Sequence, residues 1–206
     1  MDISVAIPTY NGAQRLPQVL DRLQVQIGTS EIDWEVIVVD NNSNDKTANI
    51  VKEYQQNWTA NLPLKYVFEP QQGLAFARQR AVEEAQGSLI GFLDDDNWPA
   101  PNWVIQAVRF GHDYPQAGAY GGKIKGCFEV PPGEDIAAIQ RFLAIRDYGN
   151  KAQPFQTEVL QLPPGAGLVV RKRAWQQAIP QRLDRVGYEG DDYEISIRMH
   201  QRGWEI

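Results

Sequence analysis

The sequence predicts an α/β protein, a three-layer α/β/α sandwich around a mostly parallel, doubly wound sheet. Three observations carry this expectation. Short β-branched runs alternate with stretches of helical periodicity, the early runs are apolar at consecutive positions, and polar, loop-forming residues stand at the end of each run. Strands apolar on both faces belong to parallel sheets covered by crossover helices.

Residues 3–7 read as the first strand, and Leu16, Val19, Leu20, Leu23 and Ile27 share one helical face after it. Residues 35–39 are a second strand followed by a helix over 46–54, and residues 64–68 a third followed by a helix over 74–85. A fourth strand at 89–93 precedes a helix carrying Trp103, Val104, Ala107 and Val108. The second half is less regular. Residues 120–124 are expected as a strand and Ile136, Ile139, Phe142 and Leu143 as one helix face. Pro131-Pro132-Gly133 and Pro163-Pro164-Gly165 read as loops. Residues 168–170 resume a strand, and residues 191–202 form a helix with Asp191 or Asp192 at its start.

A chain of 206 residues with 43% hydrophobic and 22% charged residues fits one ordinary globular domain, 1–206. The formal net charge of −6, from 26 acidic against 20 basic residues, disfavours nucleic acid as a partner. Cys127 is the only cysteine, so an intrachain disulfide is excluded and a reducing compartment fits; it is expected to be a small buried hydrophobe. Met1 and Asp2 lead straight into the first strand without a basic start, so the chain is not expected to be exported. No run approaches the roughly 18 apolar residues of a membrane span. The last residues, Trp204-Glu205-Ile206, read as the opening of another strand, so the chain is expected to continue beyond them.

Ligands of doubly wound sheets bind beyond the carboxyl ends of the strands. Those ends carry Pro8-Thr9-Tyr10-Asn11-Gly12, Asp40-Asn41-Asn42-Ser43, residues 69–73 and Asp94-Asp95-Asp96-Asn97. Three adjacent carboxylates at a strand end repel one another unless a cation compensates. A hard ion such as Mn²⁺ or Mg²⁺ takes one or two carboxylates and completes its shell with phosphate oxygens and water, which links the triplet to a diphosphate. The alternative is a solvated acidic turn capping the next helix.

Asp40 lies within the strand pattern and is better explained by a ligand, whereas Ser43 and Asn44 suit an N-cap. Arg78 and Arg80 follow Gly73 on a helix whose packed face is Leu74, Ala77, Ala81 and Ala85; Arg78 stands beside that face and Arg80 faces solvent. Asp191 and Asp192 open a late helix, where capping explains one and leaves the other free as a base. Glu194 and Arg198, at i and i+4, suggest a surface ion pair. His112 and His200 are isolated, and Trp98, Trp103, Tyr148 and Phe155 are expected to pack rather than to stack on sugars. No phosphate loop or Gly-x-Ser-x-Gly elbow is present, and Gly165-Ala166-Gly167 precedes a strand, the wrong side for a dinucleotide fingerprint.

Taken in order, Val5-Ala6-Ile7-Pro8-Thr9-Tyr10-Asn11, Val38-Val39-Asp40-Asn41-Asn42-Ser43-Asn44-Asp45, Gly73-Leu74-Ala75-Phe76-Ala77-Arg78, Phe92-Leu93-Asp94-Asp95-Asp96 and Gly190-Asp191-Asp192-Tyr193-Glu194 with Gly203-Trp204 resemble the family-two inverting glycosyltransferases of GT-A fold. The resemblance implies a nucleotide-sugar-binding half, 1–98, and an acceptor-side half, 99–206. It implies Pro8, Tyr10 and Asn11 around the base, Asp40 on the base edge with Asn42 nearby, and Gly73, Arg78 and Asp94 at the nucleoside. Asp96 matches the metal-binding carboxylate of the DXD motif, with Asp94 as second ligand and Asp95 as support. Asp192 inherits the general-base role by register, with Asp191 the alternative, and Gly165-Ala166-Gly167 resembles the small-residue loop beneath sugar and acceptor.

The implied reaction moves a sugar with inversion from a nucleotide-diphospho-sugar, UDP-linked in preference to GDP- or dTDP-linked, to a glycan or lipid-linked acceptor. Mn²⁺ or Mg²⁺ is the implied cofactor. The expected location is the cytoplasm, compatible with peripheral association at the cytoplasmic face of a membrane. A nucleotidyltransferase would need a Gly-rich basic loop after the first strand, and a non-catalytic sugar-nucleotide-binding module would have no use for Asp191-Asp192.

Overall fold

In a computed structural model, which describes residues 1–128, 130–131, 133, 143–149, 151–157, 161–180 and 190–206, strands and helices alternate through the first half of the chain. The elements are β1 (Ile3–Thr9), α1 (Leu16–Gln24), β2 (Trp34–Asp40), α2 (Thr47–Asn57), β3 (Leu64–Phe68), α3 (Leu74–Glu84), β4 (Leu89–Phe92) and α4 (Trp103–Asp113). They continue with β5 (Ala119–Tyr120), β6 (Val169–Arg171), α5 (Lys172–Ala178) and α6 (Asp191–Gln201). Among the described residues they build one six-stranded sheet of order β3-β2-β1-β4-β6-β5. β3, β2, β1 and β4 are parallel, and β6 runs antiparallel to both β4 and β5. Consequently β5 points the same way as β4. The order reverses between β1 and β4, which makes the crevice above their carboxyl ends the topological switch point.

Strand periodicity assigns the faces. Ala6, Ile37, Val39 and Phe92 pack on Ala77 and Ala81 of α3, Trp175 of α5 and Ile195 of α6. Ile3, Val5, Ile7, Val36 and Val38 pack on Leu16, Val19, Leu20 and Leu23 of α1, Val51 of α2 and Val104 of α4. The three-layer sandwich is thereby realised, and every residue of β1 and β2 is buried. Gly73 precedes α3 at φ 138°, a backbone region open to glycine.

Several local expectations change. Ile27 lies past the end of α1 and is 60% exposed, and Leu74 is 44% exposed while Ala75 takes the buried position. Of the expected strand over 120–124 only Tyr120 lies in β5, which starts at Ala119 and stops before Gly121 and Gly122, where no side chain is offered to pack; Ile124 makes an isolated bridge with Arg146. The parallel sheet acquires an antiparallel strand, β6, and a helix absent from the periodicity reading, α5, follows it directly. Cys127 is exposed, not buried. Pro132, Ile136, Ile139 and Phe142 lie outside the described residues, and Leu143 is exposed. Glu205 bridges Ala117 alongside the sheet. Among the described residues no helix is long and apolar enough to cross a membrane.

A buried polar staple locks β1, β2 and the turn before β4. Glu35 Oε1 accepts the Ser4 hydroxyl at 2.7 Å and the Gln86 amide at 2.8 Å, Lys65 Nζ approaches Glu35 Oε2 at 2.6 Å, and the Gly87 amide donates to Ser4 Oγ at 2.8 Å. A Cβ on Gly87 would stand 2.4 Å from the Ser4 amide nitrogen, so backbone would have to move. Gly87→Ala is therefore expected to cost about 2–3 kcal/mol in urea unfolding; an unchanged midpoint and slope would contradict this packing.

Candidate active site at the carboxyl edge of the sheet

Because β1 to β4 are parallel, their terminal loops share one edge, and hydrogen bonds sew those loops together. The Asn11 amide donates to Ser43 Oγ at 2.9 Å, the Asn44 amide to Asn11 Oδ1 at 2.9 Å, the Gly12 amide to Thr47 Oγ1 at 3.0 Å and the Ala13 amide to Asp45 Oδ2 at 3.1 Å. Asn41 then joins the β2 and β3 loops: its Oδ1 accepts the Gly73 amide at 2.7 Å and its Nδ2 donates to the Gln71 carbonyl at 2.7 Å. Asn11 and Asn42 have φ of 51° and 64°, a region that asparagine tolerates. Both thus have backbone reasons to be asparagine. The Asn11 side chain is engaged with the Asn44 amide, while Asn42 is exposed.

Pro8 is buried in β1 opposite Val39, so of the residues expected around a base it is Tyr10, 44% exposed, that presents its ring. Asp40 is buried, with Oδ1 accepting the Ser43 amide at 2.9 Å and Oδ2 accepting the Tyr66 hydroxyl at 2.7 Å. Burial, and then this carboxylate, push the Tyr66 phenol well above its ordinary pKa. Tyr66 escaped the sequence reading because it looked like an ordinary strand aromatic. Its clue is that it stands opposite Val38, two residues before Asp40.

The aspartate triplet splays. Asp95 turns inward, accepting the Thr9 hydroxyl at 2.6 Å and Arg15 through Nε at 2.7 Å and Nη2 at 2.9 Å. It clamps the end of β4 to β1 and to the start of α1. A Cβ on Gly12 would lie 2.0 Å from Thr9 Oγ1 and 2.5 Å from Asp95 Oδ2, so the clamp requires glycine there. Arg15, absent from the sequence-derived site, carries this clamp.

Asp94 is half-exposed, 3.8 Å from Arg78 Nη2, and its turn is closed by Asn97, whose Oδ1 accepts the Asp94 amide at 3.0 Å. Burial raises the Asp94 carboxyl above its usual range; the Arg78 charge opposes this, and Asp96, Asp95 and Asp191 reinforce it. Asp96 points to solvent, touched by Asn97 Nδ2 at 3.2 Å. Among the described residues no three His, Cys, Asp or Glu side chains converge into a metal cage. A Mn²⁺ or Mg²⁺ whose shell is completed by phosphate and water needs only one or two carboxylates, and the exposed Asp96 with the half-exposed Asp94 fits that requirement.

Among the described residues Arg78 is the largest buried polar side chain, 2% exposed. Its Nη1 donates to Asp191 Oδ1 at 2.8 Å, and its guanidinium carbon lies 5.5 Å from the centre of the Phe92 ring. A Cβ on Gly165 would come within 2.3 Å of Nη2, so the glycine makes room for the guanidinium. Arg78 Nε and Asp191 Oδ2 have no hydrogen-bond partner among the described residues. Arg80 instead pairs at the surface with Glu84 at 2.8 Å, as its position suggested.

Gly190, left-handed at φ 102°, starts α6, and neither following aspartate is its cap. Asp191 is buried as the counter-ion of Arg78. Asp192 is half-buried, with Oδ2 accepting the Gly165 amide at 2.8 Å and Oδ1 accepting the Tyr193 amide at 2.9 Å. Gly167 donates to the Phe92 carbonyl at 3.0 Å, which fastens the 165–167 loop to the end of β4. Glu194 and Arg198 do pair, at 2.7 Å, although Glu194 is buried and the pair is not purely superficial. His112 and His200 are exposed, Trp103 packs against Gly91, and Trp98 lies under Arg22 at 4.5 Å. Tyr148 and Phe155 meet edge to face in a cleft along β5, apart from the triplet.

These geometries separate structural from open carboxylates. Asp191→Ala leaves a guanidinium buried without its partner and is expected to cost about 3–5 kcal/mol in urea unfolding. Asp95→Ala should cost about 1–3 kcal/mol, reduced by the exposure of Arg15, and Asp96→Ala less than about 0.5 kcal/mol. The reverse ranking would overturn the assignment.

The sequence profile described as Glycosyl transferase family 2 matches residues 4–162. The chain is 33% identical over 106 residues to glycosyltransferase AglE of Haloferax volcanii, covering 52% of this chain and 34% of that protein. It is 37% identical over 115 residues to validoxylamine A glucosyltransferase of Streptomyces hygroscopicus subsp. jinggangensis, covering 55% of this chain and 26% of that protein. The fold is similar to S. aureus TarS 1–349 in complex with UDP, with TM-score 0.71 and 20% identity over 97% of this chain and 55% of that one. It is also similar to the mannosyltransferase PcManGT from Pyrobaculum calidifontis in complex with GDP-Man and Mn²⁺, with TM-score 0.71 and 22% identity over 98% of this chain and 53% of that one. The chain thus spans about half of those solved chains, and its matches span about a quarter to a third of the two curated relatives.

Proposed function

The chain belongs to glycosyl transferase family 2, and from that premise we propose that its carboxyl edge transfers a sugar from a nucleotide-diphospho-sugar to an acceptor hydroxyl, inverting the anomeric carbon. The observation that carries this reading is Arg78, which stands between Asp94 of the triplet and Asp191 of α6. One anchor thereby holds the donor-side turn and the helix that begins beside Asp192.

Tyr10 offers its exposed ring to the base, and Asp40, oriented by Tyr66 and Ser43, accepts from a base N–H. Arg78 and Asp94 face the nucleoside and its diphosphate. Asp96, with Asp94, would hold Mn²⁺ or Mg²⁺, which when bound supplies positive charge to the departing diphosphate. A UDP-sugar is the favoured donor, ahead of GDP- and dTDP-sugars; TarS was solved with UDP and PcManGT with GDP-Man and Mn²⁺.

Asp192 is the base, and the contrast with its neighbour is physical. Asp191 is 3% exposed and neutralises Arg78, so taking a proton there would strand a buried cation. Asp192 has no such duty, and its backbone hydrogen bonds aim the carboxylate without removing it from the surface. It takes the proton of the acceptor hydroxyl; the acceptor oxygen bonds to the anomeric carbon as the bond to the diphosphate oxygen breaks, with that electron pair leaving on the nucleoside diphosphate. The acceptor is a glycan or a lipid-linked saccharide in glycoconjugate biosynthesis, reached from the cytoplasm or its face of a membrane.

A thermal-shift panel of nucleotide sugars with and without Mn²⁺ tests the donor site. A cognate donor at a hundred times its dissociation constant should stabilise by about 2.7 kcal/mol. Asp96→Ala should lose the Mn²⁺-dependent part, and Asp192→Asn should retain donor stabilisation while losing transfer. Normal transfer by Asp192→Asn, or no stabilisation of the wild type by any donor, would sink the reading.

A further inference from the structure

A cleft of about 460 Å³ runs along β5 and takes no lining residue from the loops after β1 to β4. Since β5 points the same way as β4, the end of the cleft beyond Tyr120 lies on the same edge of the sheet as the aspartate triplet. At that end stand Lys123, Tyr148 and Lys151, with Phe155 against Tyr148 at 4.9 Å between ring centres. Phe155 packs against the same core cluster as Tyr193, the neighbour of Asp192. The cleft therefore leads toward the base rather than away from it.

Its charge is opposite to that of the molecule. The chain carries a formal net charge of −6, yet Lys123 and Lys151 line this cleft, with Lys125 near Asp147 and Arg146 opposite Ile124 beside it. Asp147 pairs with Lys123 and also feels Lys125. Lys151 is exposed and meets no carboxylate among the described residues. Among the described residues the one acidic lining residue, Glu205, belongs to the opposite end, where its backbone pairs with Gln116 and Gly118. Aromatic rings and the amides of Gln153, Gln156 and Gln161 suit the apolar faces and hydroxyls of a sugar or polyol. Lysine ammonium groups are point charges that suit phosphate, whereas planar carboxylates are best read by an arginine fork.

We propose that this cleft is the acceptor subsite and that it takes a phosphate-bearing saccharide or polyol, with Lys123 and Lys151 holding the phosphate and Tyr148 and Phe155 packing on the carbon skeleton. The inference rests on the glycosyltransferase reading for its word acceptor, but not for the binding itself. A phosphate on a soluble chain and a phosphate under a lipid share this chemistry.

The test is amide NMR on the whole chain with UDP and diamagnetic Mg²⁺ at saturation, so that the donor edge is closed to the probes. Glucose 6-phosphate should shift residues 121–123 and 148–156 saturably, glucose should bind at least about tenfold more weakly, and Lys123→Gln with Lys151→Gln should lose about tenfold in affinity. Lys151→Gln alone, which spares the pair with Asp147, should weaken binding in the same direction. Lysine-dependent binding to phosphatidylglycerol vesicles without binding of glucose 6-phosphate supports the phosphate site and assigns its source to a lipid. Equal affinity for glucose, unchanged affinity in the double variant, or shifts confined to residues 94–97 would overturn the proposal. If UDP fails to stabilise the wild type while glucose 6-phosphate still binds here through the lysines, the donor reading fails and the phosphate cleft stands.

Discussion

The Arg78 guanidinium is buried to 2% exposure, and the arrangement of the carboxyl edge follows from keeping that charge compensated. Removing an ion from water is costly, and the cost is recovered only by a well-placed counter-charge and by close packing. Asp191 provides the first at 2.8 Å, and the Phe92 face and the space left by Gly165 provide the second. Three segments far apart in sequence are thereby fixed relative to one another: the turn after β4, the 165–167 loop and the start of α6. Asp192 inherits its position from this packing, because its carboxylate is held by the Gly165 amide.

Acidic residues that look alike in sequence therefore divide by what surrounds them. Asp95 and Asp191 face arginines and hold the scaffold together. Asp94, Asp96 and Asp192 keep some access to solvent. Placing structural and open carboxylates side by side concentrates negative charge; burial first, and then Asp96, Asp95 and Asp191 against the pull of Arg78, hold the Asp94 carboxyl above its usual range. A divalent cation would relieve it.

The four parallel strands were legible in the sequence because their apolar runs are local, and the loops after them were legible because the polar residues follow at once. The fate of each polar residue was not, since it depends on contacts that span 80 residues for Arg15 with Asp95 and 113 for Arg78 with Asp191. Periodicity misplaced Leu74 and Ile27 by treating each helix as uniform to its ends, where the real helices fray or stop. β6 looked like any other apolar run, and nothing local records that it enters the sheet antiparallel. The cleft beside β5 was invisible for the same reason: its lysines and rings come from segments with no shared pattern, gathered by the short edge strand and the bridge from Ile124 to Arg146.

The central claim, that the edge around Arg78 is a metal-assisted donor site, is tested most directly by a crystal structure of the chain grown with UDP and Mn²⁺. The account predicts the uracil beside Tyr10 and Asp40, and an ion held by Asp96, with Asp94, next to the diphosphate. A nucleotide seated elsewhere, or a metal bound away from Asp96 and Asp94 while Arg78 and Asp191 keep their pairing, would contradict it.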